Sequence, residues 1–189
     1  VEIIGENILK DIIIKKEKVI FISGHFANFE LMSMEITKRN IKLATIYRPL
    51  NNIFLNPFME ILRKKFICKN QIKKGLNGVR DAIEYIKNDF SIALMIDQRV
   101  SEGIKTNFFK KPALTTTLPA QLALKYKLSI IPVFIQRKSN SKFLVEFQNE
   151  IKSEDFHDKL KLTEKLNEVL EKMVVRNPTQ WIWTHNRWK

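Results

Sequence analysis

The sequence predicts one α/β domain built on a mixed, largely parallel sheet of five or more strands, covered by helices. Three observations predict it. Short β-type apolar runs, Val19 to Ile22, Leu43 to Tyr47, Ile92 to Ile96, Leu128 to Gln136 and Phe143 to Phe147, alternate for most of the chain with stretches of helical periodicity, and that alternation favours parallel pairing through helical crossovers. The 189 residues suffice for one substantial core and demand no second. Apolar residues make up 44% of the chain and charged ones 28%, with only 5 Gly and 6 Pro, a composition that excludes a disordered or fibrous chain.

Taken in order, apolar positions at Ile3, Ile4, Ile8, Leu9, Ile12 and Ile13 predict a helix over Ile3 to Ile14, ended by Lys15-Lys16-Glu17-Lys18. The strand Val19 to Ile22 stops at Ser23-Gly24, and a second helical pattern runs from Phe29 through Ile36 to Lys38-Arg39-Asn40. Pro49 ends the strand Leu43 to Tyr47 and leaves Arg48 at its tip. Phe54, Phe58, Ile61, Leu62 and Phe66 fit a helix over Ile53 to Phe66, with Arg63, Lys64 and Lys65 where cations favour its macrodipole. Cys68 to Lys74 reads as a short basic link, and Val79, Ile83 and Ile86 mark a helix over Gly75 to Lys87. The strand Ile92 to Ile96 ends in Asp97-Gln98 at the carboxyl edge where α/β sites form, although such an Asp also suits a turn cap. Thr115-Thr116-Thr117 precedes a helix over Leu118 to Lys127, with Pro119 in its first turn; hydroxyls there suit a phosphate or oxyanion, and more commonly cap. The fourth strand carries Pro132, expected near a strand end or bulge, and a basic hairpin-like loop, Arg137 to Lys142, leads to the fifth. A long amphipathic helix over Leu160 to Val175 ends before Asn177-Pro178. The closing segment Gln180 to Lys189 holds all three tryptophans, which suit either a membrane interface or docking on the core.

With 33 Lys+Arg against 20 Asp+Glu the formal net charge is +13, so the surface should attract anions: nucleic acid, anionic headgroups, a phosphorylated substrate or an acidic carrier protein. The basic residues are spread along the chain without a recognised nucleic-acid motif, so no nucleic acid partner is expected. The single cysteine, Cys68, has no internal disulfide partner and reads as an idle thiol in a reducing compartment. No apolar run approaches the ~20 residues that span a bilayer. The chain opens at Val1 inside an apparent helix, so an upstream, membrane-anchoring piece is expected.

The chemistry is concentrated in Gly24-His25-Phe26-Ala27-Asn28-Phe29-Glu30, between strand and helix. On one continuous helix a spacing of five sets His25 and Glu30 about 140° apart. With His25 in the turn and Glu30 in the first helical turn, the carboxylate folds back onto one imidazole nitrogen and leaves the other facing substrate: a general base with an orienting acid. A surface carboxylate beside a satisfied turn histidine is the alternative. The motif resembles the His-x4-Asp/Glu signature of glycerolipid-type acyltransferases, in the form found in the bacterial lipid A biosynthesis (late, lauroyl/myristoyl) acyltransferases. Three further blocks resemble that family in the same order: Tyr47-Arg48-Pro49 followed by Asn; the strand ending Asp97-Gln98 with Gly103, Phe108-Phe109 and Pro112-Ala113-Leu114-Thr115; and the terminal Trp183-x-His185-x-Arg187-Trp188. Where the family often has Phe-Phe-Gly, this chain has Phe108-Phe109-Lys110-Lys111.

The resemblance implies a glycerolipid-acyltransferase fold and transfer of a fatty acyl group from an acyl carrier protein thioester to a hydroxyl of a phosphorylated lipid A precursor. The setting it implies is the cytoplasmic face of the inner membrane, with no cofactor and no metal. His25 is then the catalytic base and Glu30 its partner. Arg48 or Arg63, the latter matching a functional arginine of the family by its position after Tyr-Arg-Pro, binds phosphate or steadies the oxyanion, and Asp97 fixes an arginine or the substrate. His185 is expected to be packed or capping. Another glycolipid or glycerophosphate acceptor, or a non-catalytic basic peripheral membrane protein, are the other readings.

Overall fold

In the computed structural model of the chain, residues 1–139 and 141–188 are described; Asn140, in the predicted hairpin loop, and Lys189, at the close, lie outside the described residues. The first half runs β1 (Glu2–Ile4), α1 (Glu6–Lys15), β2 (Ile20–Ser23), α2 (Leu31–Thr37), β3 (Leu43–Tyr47), α3 (Leu55–Phe66), β4 (Asn70–Lys73), α4 (Leu76–Lys87) and β5 (Ser91–Met95). The second runs β6 (Ile104–Phe108), β7 (Lys111–Thr115), α5 (Leu118–Tyr126), β8 (Ile130–Arg137), β9 (Phe143–Phe147) and α6 (Lys159–Arg176). Seven strands form one sheet in the order β1-β9-β8-β2-β5-β3-β4, and β6-β7 form a separate hairpin. Every pairing in the large sheet is parallel except β8 with β9. The predicted mixed, largely parallel α/β domain is therefore what forms.

Burial explains why β2 is central. Ile20, Phe21, Ile22 and Ser23 are all buried, so both faces of the strand are covered, the usual state of a parallel strand flanked by crossover helices. Each of α2, α3 and α4 joins two parallel strands, as the geometry of parallel pairing requires. α6 packs on the β6-β7 hairpin and on α5, and its N-terminus is capped by Asp158, whose carboxylate accepts from the Leu160 and Lys161 N–H groups.

The structure departs from the sequence pattern at four places. The helix predicted over Ile3 to Ile14 is divided into β1 and α1 at Gly5, which has φ 77° and whose backbone lies against Phe147: an added Cβ would fall 2.1 Å from the Phe147 carbonyl oxygen. The basic link holds the edge strand β4, which pairs with β3 alone. Phe109 and Lys110 form the two-residue turn of the β6-β7 hairpin, both at positive φ (51° and 60°), where Gly is the favoured residue. Pro132 lies inside β8, at the last register position with β2 and just before the first with β9, so its missing N–H interrupts neither ladder.

The tryptophan-rich segment docks on the core. Trp181 is buried, Trp188 donates from Nε1 to the Phe108 carbonyl at 2.9 Å, and Arg187 is fully buried over the Phe108 ring. The Arg187 guanidinium donates to the Leu114 carbonyl (2.6 Å) and to Thr115 Oγ1 (2.7 Å), within a cluster completed by Thr106 and Asn167. Burial pushes Arg187 down to about 10, although the Asp97 carboxylate favours its charged form.

Candidate active site

The parallel register brings the reactive groups together. Ser23 of β2 is in register with Met95 of β5, so His25 and Asp97, each two residues past its strand end, emerge side by side. Arg48 follows β3 directly and Lys74 follows β4 directly. The order β2-β5-β3-β4 thus lines up His25, Asp97, Arg48 and Lys74 along the carboxyl edge of the sheet, where ligands of α/β sheets bind.

His25 and Asp97 form the tightest pair of the site. Nδ1 of His25 lies 2.7 Å from Oδ1 of Asp97, and the His25 backbone N–H donates to Oδ2 at 2.7 Å. Trp181 Nε1 donates to the same Oδ2 at 2.9 Å. The Asp97 side chain is only 3% exposed. That burial pushes its pKa up, but the His25 ring hydrogen bond and charge, the His25 N–H and the Trp181 indole outweigh it and hold the carboxyl below its ordinary range. An ionised carboxylate only accepts, so in neutral His25 the proton sits on Nδ1 and the Nε2 lone pair is left for the pocket. The Gln98 amide lies 3.4 Å from Nε2, and the Phe29 ring packs edge-on against the imidazole at 4.6 Å.

The turn that carries His25 is clamped from the other end of the chain. The Ala27 N–H donates to the Gln180 carbonyl (2.9 Å), the Ile182 N–H donates to the His25 carbonyl (3.1 Å), and Ala27 between them has φ 45°. A Cβ on Gly24 would come within 2.8 Å of the Phe26 ring and 3.3 Å of Asp97 Oδ2, so only glycine lets the turn close on the carboxylate.

Glu30 does not hold the imidazole, contrary to the pairing expected from the sequence. It stands at the start of α2 and accepts from Arg63, with both Nε and Nη2 at 2.7 Å from Oε1. The left-handed Ala27 turns the chain between His25 and Glu30, and the carboxylate faces α3. Arg63 lies over the Tyr47 ring (5.6 Å), and its remaining nitrogen, Nη1, is buried without a hydrogen-bond partner among the described residues. Asp97 fixes neither arginine; its partners are His25 and Trp181.

His25, Phe29, Arg48, Arg63, Lys74 and Gln98 line one pocket of 340 Å³, with Ile46, Leu94, Met95, Val100 and Leu118 among its apolar walls. Arg48 and Lys74 have no carboxylate at ion-pair distance among the described residues; Lys74 is exposed, and partial desolvation by the surrounding protein, then repulsion from Arg48, pushes its pKa down. Local sequence gives Lys74 and Gln98 no functional mark; a position just past a strand end is the available signal, and for Lys74 that strand lies in what reads as a basic link. His185, expected to be packed or capping, is exposed and stands at the pocket rim. Thr116 lines the pocket, and its Oγ1 accepts from the Leu118 N–H at 3.3 Å just before α5. Cys68 is buried away from this site and donates to the Leu43 carbonyl. A larger groove of 740 Å³, near Val19 and Ser129 at the opposite edge of the sheet, holds no histidine. Among the described residues no three His, Cys, Asp or Glu side chains cluster as metal ligands.

A lipid A biosynthesis acyltransferase of Haemophilus influenzae is 22% identical over 178 residues, which are 93% of this chain and 57% of that protein. The chain thus spans little more than half the length of this curated relative. The crystal structure of the 1-acyl-sn-glycerophosphate acyltransferase of Thermotoga maritima superposes with a TM-score of 0.56 at 18% identity, covering 96% of this chain and 74% of that one, a likeness of fold. The model of the bacterial lipid A biosynthesis acyltransferases matches residues 1–189, the whole of the sequence, and the chain belongs to that family.

Proposed function

We propose that the chain transfers a fatty acyl group from an acyl carrier protein thioester to a hydroxyl of a phosphorylated lipid A precursor, at the cytoplasmic face of the inner membrane. The observation that carries this is the His25–Asp97 dyad turned into an apolar pocket whose lining includes two cations, Arg48 and Lys74, without carboxylate partners among the described residues.

Nε2 of His25 takes the acceptor hydroxyl's proton as that oxygen attacks the thioester carbonyl carbon, and Asp97 steadies the imidazolium that forms. The carbonyl π-electrons move onto oxygen, and the Arg63 guanidinium, which lines the pocket, is the cation nearest in role to a donor for that oxyanion. The tetrahedral intermediate collapses, the C–S bond breaks, and the departing thiolate takes the proton from His25. Arg48 and Lys74 bind the acceptor's phosphate, and Glu30 holds Arg63 in place. No acyl-enzyme and no cofactor enter this scheme. Ile46, Leu94, Met95 and Leu118 give the acyl chain apolar surface.

The test is transfer of a labelled acyl chain from acyl carrier protein to a phosphorylated glucosamine lipid, with lysophosphatidic acid as competing acceptor, by the wild type and His25→Ala. Transfer to the glucosamine lipid that is lost in the variant is the expected result. Transfer to lysophosphatidic acid alone would replace the acceptor by a glycerophosphate, and full activity in His25→Ala would reject the base.

A further inference from the structure

α3 is turned the wrong way round for a helix on a water-facing surface. Its polar edge faces the domain: Glu60 accepts from Asn56 (2.8 Å) and pairs with Lys73 (3.3 Å), and Arg63 reaches Glu30 in the pocket wall. Its apolar edge faces out. Phe54 is 86% exposed, Phe58 56% and Ile61 63%, and these positions, four and three residues apart, form one stripe along the helix. Ile53 and Phe66 flank the stripe and are also exposed, and no residue of α3 is buried. A helix on a soluble surface places its apolar stripe inward, as α1 does with Leu9 and Ile12, and a contiguous exposed apolar patch marks a contact surface.

The neighbouring charge identifies the partner. The stripe runs on to Lys65, with Lys64 beside it, and neither has a carboxylate partner among the described residues. Leu50 lines the pocket and is itself exposed, so apolar surface continues from the pocket rim, where Arg48 and Lys74 lie, onto α3. Protruding aromatic rings edged by unpaired cations, on a chain of net charge +13, complement an anionic lipid leaflet. We infer that the outer face of α3 is a bilayer-docking surface: Phe54, Phe58 and Ile61 enter the acyl region, Lys64 and Lys65 meet anionic headgroups, and the catalytic pocket is held beside the lipid. The acyl-transfer reading supplies the purpose of this contact; the contact itself is measured without donor or acceptor.

The experiment is co-sedimentation with vesicles of phosphatidylcholine alone and of phosphatidylcholine mixed equally with phosphatidylglycerol. It compares the wild type, the Phe54→Glu/Phe58→Glu double variant, and Val175→Glu, an exposed apolar position on α6, as control. Thermal melts check that each variant folds. The wild type should bind the anionic vesicles, more weakly as salt rises; the double variant should lose about 100-fold in affinity, and the control should not. A nitroxide on Phe54→Cys should report a depth below the phosphates, since Cys68 is buried and does not compete for label. Wild type that ignores anionic vesicles, a double variant that binds as well as wild type, or a label that stays in water would overturn the inference. So would a concentration-dependent dimer abolished by the double variant without vesicle binding, which would assign the face to a second copy. Transfer to a detergent-dispersed acceptor is read separately, so a failure of docking and a failure of the acyl-transfer reading are told apart.

Discussion

Replacing Asp97 with Asn tests the dyad at its centre. In the ground state a neutral His25 needs only a hydrogen-bond acceptor at Nδ1; in the transition state it becomes a cation beside the carboxylate, 2.7 Å from Nδ1 to Oδ1. With charge centres about 4 Å apart and an effective dielectric of about 20, the lost attraction is ~4 kcal/mol, or roughly a 10³-fold fall in kcat. Geometry adds a second effect. Oδ2 accepts from both the His25 N–H and the Trp181 indole, so if Oδ1 of the amide keeps its place beside Nδ1, its NH₂ group meets two donors. Each donor left unsatisfied costs about 1–3 kcal/mol, so the variant should also melt earlier. The assay is acyl transfer at saturating donor and acceptor, with KM and melting temperature measured alongside. A folded Asp97→Asn enzyme with wild-type kcat, set beside an inactive Glu30→Gln, would refute the Asp97 dyad and restore the Glu30 pairing.

Three other outcomes are expected. Glu30→Gln should lower kcat about tenfold by loosening Arg63 while leaving the pH–rate profile in place, and a shifted profile would show that Glu30 acts on His25 after all. Lys110→Gly should stabilise the fold by about 1 kcal/mol, raising the melting temperature by roughly 2–4 °C, because both residues of the Phe109-Lys110 turn have positive φ; an unchanged or lower midpoint would refute the strain. Acid should destabilise the protein. Asp97 and Glu35 are held below the ordinary range by hydrogen-bonded partners that outweigh their burial, Glu60 first by the Tyr47 hydroxyl and Glu146 first by Arg176. A depressed folded-state value means that this stability is complete above the unfolded carboxylate range, about pH 4, and is lost as pH falls through the folded values. Melting temperatures flat from pH 6 to pH 3 would contradict those pairings.

What the sequence disclosed follows the range of the interactions involved. The strand ending at Ser23, the turn holding His25 and the strand ending just before Asp97 are written in local apolar runs and punctuation, so the sheet and the carboxyl-edge positions could be read directly. The imidazole's partner could not. Spacing within one motif offers Glu30 as a neighbour, whereas Asp97 reaches His25 through strand register, a long-range property that no local pattern carries. β1 is three residues long and continuous with a helical stripe, β4 is a polar edge strand, and the β6-β7 turn lacks the glycine that would have announced it. α3 was found by its periodicity, yet periodicity says only that a helix has an apolar side, not which way that side points.

The clamp between the His25 turn and the Gln180–Ile182 segment sets when the His25–Asp97 pair is complete. Trp181 and Asp97 are 84 residues apart in sequence, and the bonds from Ala27 and Ile182 join points farther apart still. Contacts of such separation, like the pairing of β1 with β9 in the sheet, require both distant segments to have been made. During synthesis, β2 and β5 can pair while the ribosome is still making α6, but the base remains unclamped and its carboxylate lacks the indole donor. The catalytic geometry therefore belongs only to chains translated beyond Ile182, so an unfinished chain already equipped with its sheet would lack the clamped base.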